Sequence, residues 1–191
     1  MAEYGAKEMA NAFRTVRGNT VQIAEEIPED KYDFVPAPGV RTVSELLRHI
    51  AFANLLHYDF HRDKKVSTLQ GYDFGAIMGK MNGEATKPRT KAEIIALLKE
   101  EGEKFASWLE TLDRAFLNET FTDPAGQNPK TRFEQILGAK EHEMHHRGQL
   151  MLVERMLGIT PHLTRAMQAR MAARAAAPAP ATATATATAT A

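Results

Sequence analysis

Residues 131–157 read TRFEQILGAKEHEMHHRGQLMLVERML. The stretch opens with Thr131-Arg-Phe-Glu134, a capping box in which the threonine hydroxyl accepts from the third helical N–H and the glutamate reaches back to the cap. Apolar and imidazole side chains then recur at steps of three and four residues, which is the period of an α-helix. Gly158 and Pro161 follow directly and are typical of a helix end. We therefore predict a long helix over about residues 132–157.

The same box occurs twice more, as Thr42-Val-Ser-Glu45 and Thr90-Lys-Ala-Glu93. Each is followed by apolar residues with helical spacing, and an uncapped stretch near the N-terminus has the same period. The four long helices predicted in this way span about residues 5–26, 43–61, 91–112 and 132–157. Because no segment alternates with a period of two over a convincing length, the predicted fold class is all-α, a four-helix bundle.

Two segments lie outside the four helices. The connection over residues 62–90 is long and rich in glycine, and we interpret it as a loop that borders a functional site. A short fifth helix is predicted over 162–174. From residue 172 the chain reads AARAAAPAPATATATATATA, which has no side chain large enough to form a core. We expect one domain over residues 1–171 and a disordered tail over 172–191.

The composition excludes several classes of partner and of functional site. The 24 basic residues equal the 24 acidic ones, so there is no electrostatic case for a nucleic-acid partner or an anionic membrane. The chain has no cysteine, which excludes disulfides, thiolate metal sites and a cysteine nucleophile. No apolar run has the length of a signal peptide or a membrane span. We expect a cytoplasmic protein that does not enter membranes.

Two histidines lie one helical turn apart on the predicted fourth helix. His142 and His146 can offer two imidazole nitrogens to one ion, because residues i and i+4 share a face. Their face continues through Gln149, Val153 and Met156, the spacing of a buried bundle face. Inward histidines are costly to bury without partners. The spacing alone leaves a metal ion and ordinary hydrogen bonds open as solutions.

A third histidine favours the metal. His49 shares a face of the second helix with apolar residues, namely Leu46, Ala53, Leu56 and Phe60. Three imidazoles from His49, His142 and His146 would leave coordination positions open, as in catalytic metal sites. Gln149 could orient a ligand or a water.

The other candidates rank lower. Asn54 is a weaker supporting residue, and His145 is the second choice to His146. His57 and His61 are also one turn apart, but their stripe runs out at the helix end, so we predict that they face solvent. His162 lies beyond the helix end and has no predicted role.

His142-Glu143-Met144-His145-His146 spells H-E-x-x-H, the zinc-protease signature. The extended metzincin pattern requires Gly at position 149 and His at 152, where this chain has Gln149 and Leu152. Glu143 lies about 100° around the helix from each histidine. A metalloprotease is therefore the remote alternative.

Three stretches together resemble the DinB superfamily over about residues 5–160. The first is AEEIPEDKYDFVPAPGVRTVSELLRHIAFAN at 24–54, the second is the H-x-x-x-H-R-G-Q-L at 142–150, and the third is the Leu-Gly-Ile-x-Pro that ends at Pro161. The resemblance implies an up-down-down-up four-helix bundle, commonly a homodimer. It also implies a divalent metal, zinc or nickel among others, held by His49, His142 and His146. Characterised relatives include thiol-dependent S-transferases and a maleylpyruvate isomerase that use bacillithiol or mycothiol, and some members are labelled metal hydrolases.

Two hypotheses follow for the function. The first is a divalent-metal-dependent enzyme with a small-molecule substrate, either a hydrolase or a thiol S-transferase. Because the chain has no cysteine, a transferase would need an external low-molecular-weight thiol. The alternative is a non-enzymatic metal- or ligand-binding stress-response protein, or a scaffold that has lost its metal.

Overall fold

The computed structural model describes residues 4–176. In chain order the helices are α1 (Ala6–Glu26), α2 (Val43–Phe52), α3 (Leu55–His57), α4 (Gly75–Thr86), α5 (Lys91–Glu110), α6 (Arg114–Asn118), α7 (Arg132–Met156) and α8 (His162–Ala176). A 3-10 turn spans Glu29–Lys31, and a π-helical segment at Tyr58–Asp63 continues α3. Strands β1 (Thr120–Phe121) and β2 (Lys130–Thr131) form a two-stranded antiparallel sheet in which Thr120 lies opposite Thr131. The predicted all-α class is confirmed, with this small sheet as the exception.

All three predicted capping boxes are formed, which explains why the predicted helix starts agree with the structure. At α2, the amide of Glu45 donates to the Thr42 hydroxyl at 3.1 Å, and the Thr42 amide donates to the Glu45 carboxylate at 2.8 Å. The boxes before α5 and α7 have the same reciprocal pair. Each box satisfies two amides that would otherwise lack a partner at the helix start.

Ion pairs between α1 and α5 show that these helices are antiparallel. Arg14, in the first half of α1, pairs with Glu103 and Glu110 in the second half of α5. Glu25, near the end of α1, pairs with Lys99, which is earlier in α5. As the residue numbers increase along α1, those of the paired residues in α5 decrease, so the two helices are antiparallel.

The other two helices complete the topology. Arg17 of α1 donates to the carbonyls of Ile50 and Leu98, and Tyr58 packs on Phe105 with ring centroids 5.6 Å apart. The α2 segment and α5 therefore run in the same direction. Tyr4 packs on Phe133 and Arg17 pairs with Glu143, so α1 and α7 run parallel. The four bundle helices follow the up-down-down-up order, as the resemblance implied.

Two consecutive helices that run in the same direction need a connection that returns along the bundle. Residues 64–90 make this return. The sequence analysis interpreted 62–90 as a loop, but α4 forms inside this connection and packs against α2. Ile77 and Met81, one turn apart, are the buried residues of α4. Three glycines at four-residue spacing leave the rest of α4 without an apolar stripe, which is why the sequence pattern did not reveal it.

The apolar core has two main parts. The first lies where α1, α2, α5 and α7 meet, and the second lies where α1 and α5 pack on the N-terminal half of α7. The first contains Ile23, Leu47, Ile94, Leu98 and Leu150. The second contains Phe13, Tyr58, Phe105 and Ile136.

The C-terminal helix α8 continues to Ala176, past the predicted domain boundary at residue 171. Residues 177–191, most of the predicted disordered tail, lie outside the described residues. Within residues 4–176, no helix combines the length and the apolar character that crossing a membrane requires.

Candidate metal centre

Three imidazoles converge between α2 and α7. The Nε2 atom of His142 lies 3.1 Å from Nε2 of His49 and 3.1 Å from Nε2 of His146. Within the described part of the chain, this is the only group of three or more His, Cys, Asp or Glu side chains whose ligand atoms all lie within 4.8 Å of one another. The tertiary structure thus brings together the three residues that the sequence analysis selected.

The environment holds these imidazoles neutral. Burial, followed by the nearby charges of Arg41 and the other two histidines, lowers the pKa of His49 to about 4. Burial and neighbouring histidines lower the pKa of His142 to about 4, and burial lowers that of His146 as well. A neutral imidazole has a free lone pair on one nitrogen, which is the form that binds metals.

Gln149 decides which nitrogen of His146 is free. Its Oε1 lies 2.8 Å from Nδ1 of His146, and an amide oxygen can only accept. We therefore assign the proton to Nδ1, which leaves the lone pair of Nε2 directed at the other two imidazoles. The Nε2 of Gln149 lies 3.2 Å from Nε2 of His145, so His145 holds the amide in this orientation. Hydrogen bonds of this kind from the outer nitrogen are the usual support of histidine metal ligands.

The spacing of the three nitrogens fits an ion. Zinc–nitrogen bonds of about 2.0–2.1 Å at tetrahedral angles separate two ligand nitrogens by about 3.4 Å. The two distances from His142, both 3.1 Å, are close to this value, and all three ligand atoms lie within 4.8 Å of one another. Three imidazoles also leave at least one coordination position free. The donor set is also one that Zn, Ni, Cu and Fe accept.

A cavity of about 450 Å³ opens beside the histidines. His146 and Gln149 line it from α7, together with apolar residues of that helix and of α2. The segment 36–41 forms its other wall, where Ala37-Pro38-Gly39-Val40 makes a tight turn closed by the Val40 amide on the Ala37 carbonyl at 3.3 Å. Gly39 has φ of 79°, the value of a type II turn at this position, which an L side chain rarely adopts.

The sequence profile of the DinB superfamily matches residues 12–150, a range that contains all three histidines and all four bundle helices in whole or in large part. The chain belongs to the DinB superfamily.

Relatives from Bacillus subtilis support this assignment. The protein YjoA of strain 168 is 25% identical over 156 residues, which cover 81% of this chain and 92% of YjoA. The crystal structure of YjoA, a DinB-like protein, superimposes with a TM-score of 0.59 at 24% identity over 80% of this chain and 94% of that one. YfiT, described as a probable metal-dependent hydrolase with an unusual four-helix bundle topology, superimposes with a TM-score of 0.62 at 19% identity, covering 84% of this chain and 91% of YfiT. At these identities the two structures establish the DinB fold.

In this DinB protein the glutamate of the H-E-x-x-H sequence is turned away from the histidines. Glu143 is 2% exposed, and its Oε1 accepts from Nε of Arg17 at 2.8 Å in the bundle interior. A zincin requires this carboxylate beside the metal, where it activates water. The geometry therefore argues against the metalloprotease alternative.

The prediction that His57 and His61 face solvent was wrong. His61 is 1% exposed, and His57 is partly buried with its ring 5.9 Å from that of Phe105. The stripe misplaced them because the predicted helix over 43–61 is not continuous: α2 ends at Phe52, and a new short helix, α3, holds His57. The chain then changes to a π-helix at Tyr58–Asp63, where the wider turns rotate His61 relative to an α-helical stripe. His61 Nδ1 accepts from Arg132 Nη1 at 3.1 Å. Burial lowers the pKa of His61 to about 3, so it is a neutral structural residue.

Three smaller expectations are also resolved. His145, the second choice to His146, is exposed and lies outside the histidine group, where it contacts Gln149. Asn54 is 4% exposed, and its amide has no hydrogen-bond partner among the described residues. The segment that borders the cavity is 36–41, and no residue of 62–90 lines it; the return connection packs against α2 through α4.

Sequence reasoning missed two arginines of this DinB chain. Arg41 precedes the α2 cap and lines the cavity, and Arg17 is buried at 4% exposure in α1. Neither belongs to a recognisable motif. A signal for Arg17 does exist, since a charged residue interrupts the apolar stripe that runs through Phe13, Val16 and Thr20.

Proposed function

We propose that the protein is a divalent-metal-dependent enzyme that acts on a small molecule, as a hydrolase or as a thiol-dependent S-transferase. His49, His142 and His146 would hold the ion, with zinc or nickel the first candidates. The observation that carries the proposal is that Nε2 of His142 lies 3.1 Å from Nε2 of both His49 and His146, beside an open cavity. A closed, fully liganded ion would have favoured storage or a structural role.

A divalent ion in such a site supplies Lewis acidity, which makes water or a thiol a nucleophile near neutral pH. The protein residues have separate tasks. His49 and His142 present neutral imidazoles because they are partly buried, and Gln149 keeps the lone pair of His146 directed inward. The apolar walls of the cavity would exclude water around the bound substrate, which strengthens every electrostatic contact inside.

The volume of the cavity agrees with a small-molecule substrate. A volume of about 450 Å³ lies within the range of sites for small molecules, about 300–1,000 Å³. The chain has no cysteine, so an S-transfer reaction would take its sulfur from a low-molecular-weight thiol in the same cavity. We further propose that the protein acts in the cytoplasm, as a homodimer like the relatives that the resemblance implied.

Metal content tests the proposal directly. Protein purified without a histidine tag would be analysed by plasma mass spectrometry, before and after loading with zinc or nickel. We expect about one ion per chain, lost in His49→Ala, His142→Ala and His146→Ala. His145→Ala is the matched control, because it removes an adjacent exposed imidazole outside the trio. A wild-type protein that cannot be loaded would overturn the proposal and leave a binding or scaffold role.

Turnover then separates an enzyme from a metal-binding protein. The loaded protein would be screened with activated esters and amides, and with electrophiles in the presence of bacillithiol or mycothiol. We expect turnover that disappears in His142→Ala. A protein that binds one ion tightly but turns over none of these substrates would favour the non-enzymatic alternative.

A further inference from the structure

The cavity beside the histidines has an uneven distribution of charge. Its walls are almost entirely apolar, and the described residues that line it include no aspartate or glutamate. Its other polar groups are the amide of Gln149 and the imidazole of His146. Arg41 is therefore the one permanent charge among the described lining residues.

The guanidinium of Arg41 is available to a ligand. The side chain is exposed, and no residue within 4–176 forms a hydrogen bond or an ion pair with it. The nearest acidic residue in the sequence, Glu45, is occupied by the Thr42 amide. A guanidinium has five N–H donors in a planar fork that matches a carboxylate, so an unpaired one at a cavity wall is suited to bind an anion.

The position of Arg41 is fixed by the backbone and not by side-chain contacts. Pro36 and Pro38 restrict the segment before it, the Ala37–Val40 turn closes it, and the Thr42 cap anchors it to α2. Arg41 lines the same cavity as His146 and Gln149, which belong to α7. Arg41 and His146 thus face one space from different walls.

We propose that Arg41 is a substrate-binding residue that recognises a carboxylate, and that the substrate is an amphipathic monocarboxylic acid whose reactive group lies at the histidine end of the cavity. One cation balances one negative charge, which favours a carboxylate over a phosphate monoester. The apolar walls, among them Val43, Leu46 and Val153, would contact the hydrocarbon part. The placement of the substrate's reactive group beside the histidines rests on the proposed function. The contact between Arg41 and the carboxylate does not, since it does not require the metal.

Binding of matched thiols to the cobalt-loaded protein tests the proposal. ω-Mercaptohexanoate and ω-mercaptohexanol have the same length and differ in charge, and a thiolate on cobalt gives a charge-transfer band that reports binding without turnover. Shorter and longer homologues of both thiols would be included, so that one chain length matches the distance between the metal and the Arg41 guanidinium. We expect the carboxylate to bind on the order of 10-fold more tightly than the alcohol, the effect of one charge-assisted hydrogen bond in a partly open site.

Two variants locate the effect. Arg41→Gln should remove the preference for the carboxylate and leave the affinity for the alcohol unchanged. Arg170→Gln, which alters an exposed arginine of α8 away from the cavity, should keep the preference. Because Arg41 has no partner among the described residues, its replacement should leave the melting temperature unchanged, which circular dichroism would check.

The outcomes separate this inference from the proposed function. Equal affinity for acid and alcohol, or a preference that survives Arg41→Gln, would overturn the carboxylate site while the metal site stands. If cobalt does not bind at all, the proposed function fails, and the metal-free protein would be titrated with octanoate and octanol by NMR. A shift of the Arg41 Nε–H signal with octanoate alone would still support the carboxylate site, and no shift with either would overturn it.

Discussion

Nε of Arg17 donates to Oε1 of Glu143 at 2.8 Å, with both side chains almost completely buried. The same guanidinium donates to the carbonyl of Leu98 at 2.8 Å and to that of Ile50 at 3.4 Å. One arginine of α1 is therefore hydrogen-bonded to α2, α5 and α7. The glutamate next to His142 belongs to this interhelical network and not to the cavity.

Replacing Glu143 should affect stability more than metal binding. Glu143→Gln leaves the buried Arg17 without its counter-ion, and breaking such a pair typically costs about 3–5 kcal/mol of unfolding free energy. Urea denaturation would measure this loss, and metal analysis should still find one ion per chain in the folded fraction. Glu141→Gln, an exposed change two residues away, should stay within about 0.5 kcal/mol of wild type. Unchanged stability with lost activity would instead revive the zincin role of Glu143.

The space beside Arg17 makes Gly102 sensitive to substitution. A Cβ atom at Gly102 would lie 2.5 Å from Cγ of Arg17, so Gly102→Ala must displace the arginine from its network. We expect a loss of about 1–3 kcal/mol, the usual cost of overpacking a core. Gly18→Ala is the matched control, since its Cβ would meet nothing within 4 Å, and it should stabilise α1 by about 0.5–1 kcal/mol. Thermal melts of the two variants that shift in the same direction would contradict this account.

Gln149 should control metal affinity without controlling the fold. Gln149→Leu removes the acceptor that keeps the proton of His146 on Nδ1, and the loss of such a support typically lowers metal affinity about 10–100-fold. Competition with a chromogenic chelator would measure the dissociation constant. His145→Ala removes only the outer contact to the amide and should have a smaller effect. If Gln149→Leu binds zinc as tightly as wild type, the assigned tautomer does not depend on this hydrogen bond.

Glu154 should make stability depend on pH. It is fully buried, and neither carboxylate oxygen has a hydrogen-bond partner among the described residues. Burial, and after it the charge of Glu26, raises the pKa of Glu154 from 4.5 to about 7, against the opposing charges of Arg165 and Arg155. Between these two pH values the native state holds a proton that the unfolded state has released, so the free energy of unfolding falls as pH rises.

The variant Glu154→Gln isolates this contribution. Wild type should lose up to about 3 kcal/mol relative to the variant between about pH 4.5 and pH 7, while contributions from other groups cancel in the difference. Urea denaturation at several pH values would measure it. A difference between the two proteins that is the same at about pH 5 and about pH 8 would show that Glu154 is ionised throughout.

Local sequence signals determined most of the secondary structure. The three capping boxes predicted the starts of α2, α5 and α7, because the Thr and Glu side chains act within one helical turn and need no distant partner. The helix α4 escaped prediction because its stability comes from packing against α2 and not from an apolar stripe of its own. Likewise, the burial of His61 depends on distant residues, since Leu69 and Phe121 pack against Phe60 of the same π-helix and the ring of Phe121 lies 4.9 Å from that of His61.

The candidate metal centre likewise has features that the sequence determined and features that only the tertiary structure decided. The sequence by itself placed His142 and His146 one turn apart and put His49 on an inward face, because helical periodicity relates residues on one element. Only the tertiary structure decided that their nitrogens meet at 3.1 Å, that Arg41 faces the same cavity, and that Glu143 turns to Arg17. Those contacts join residues up to 126 positions apart, and their distances depend on how whole helices pack, which no local pattern specifies.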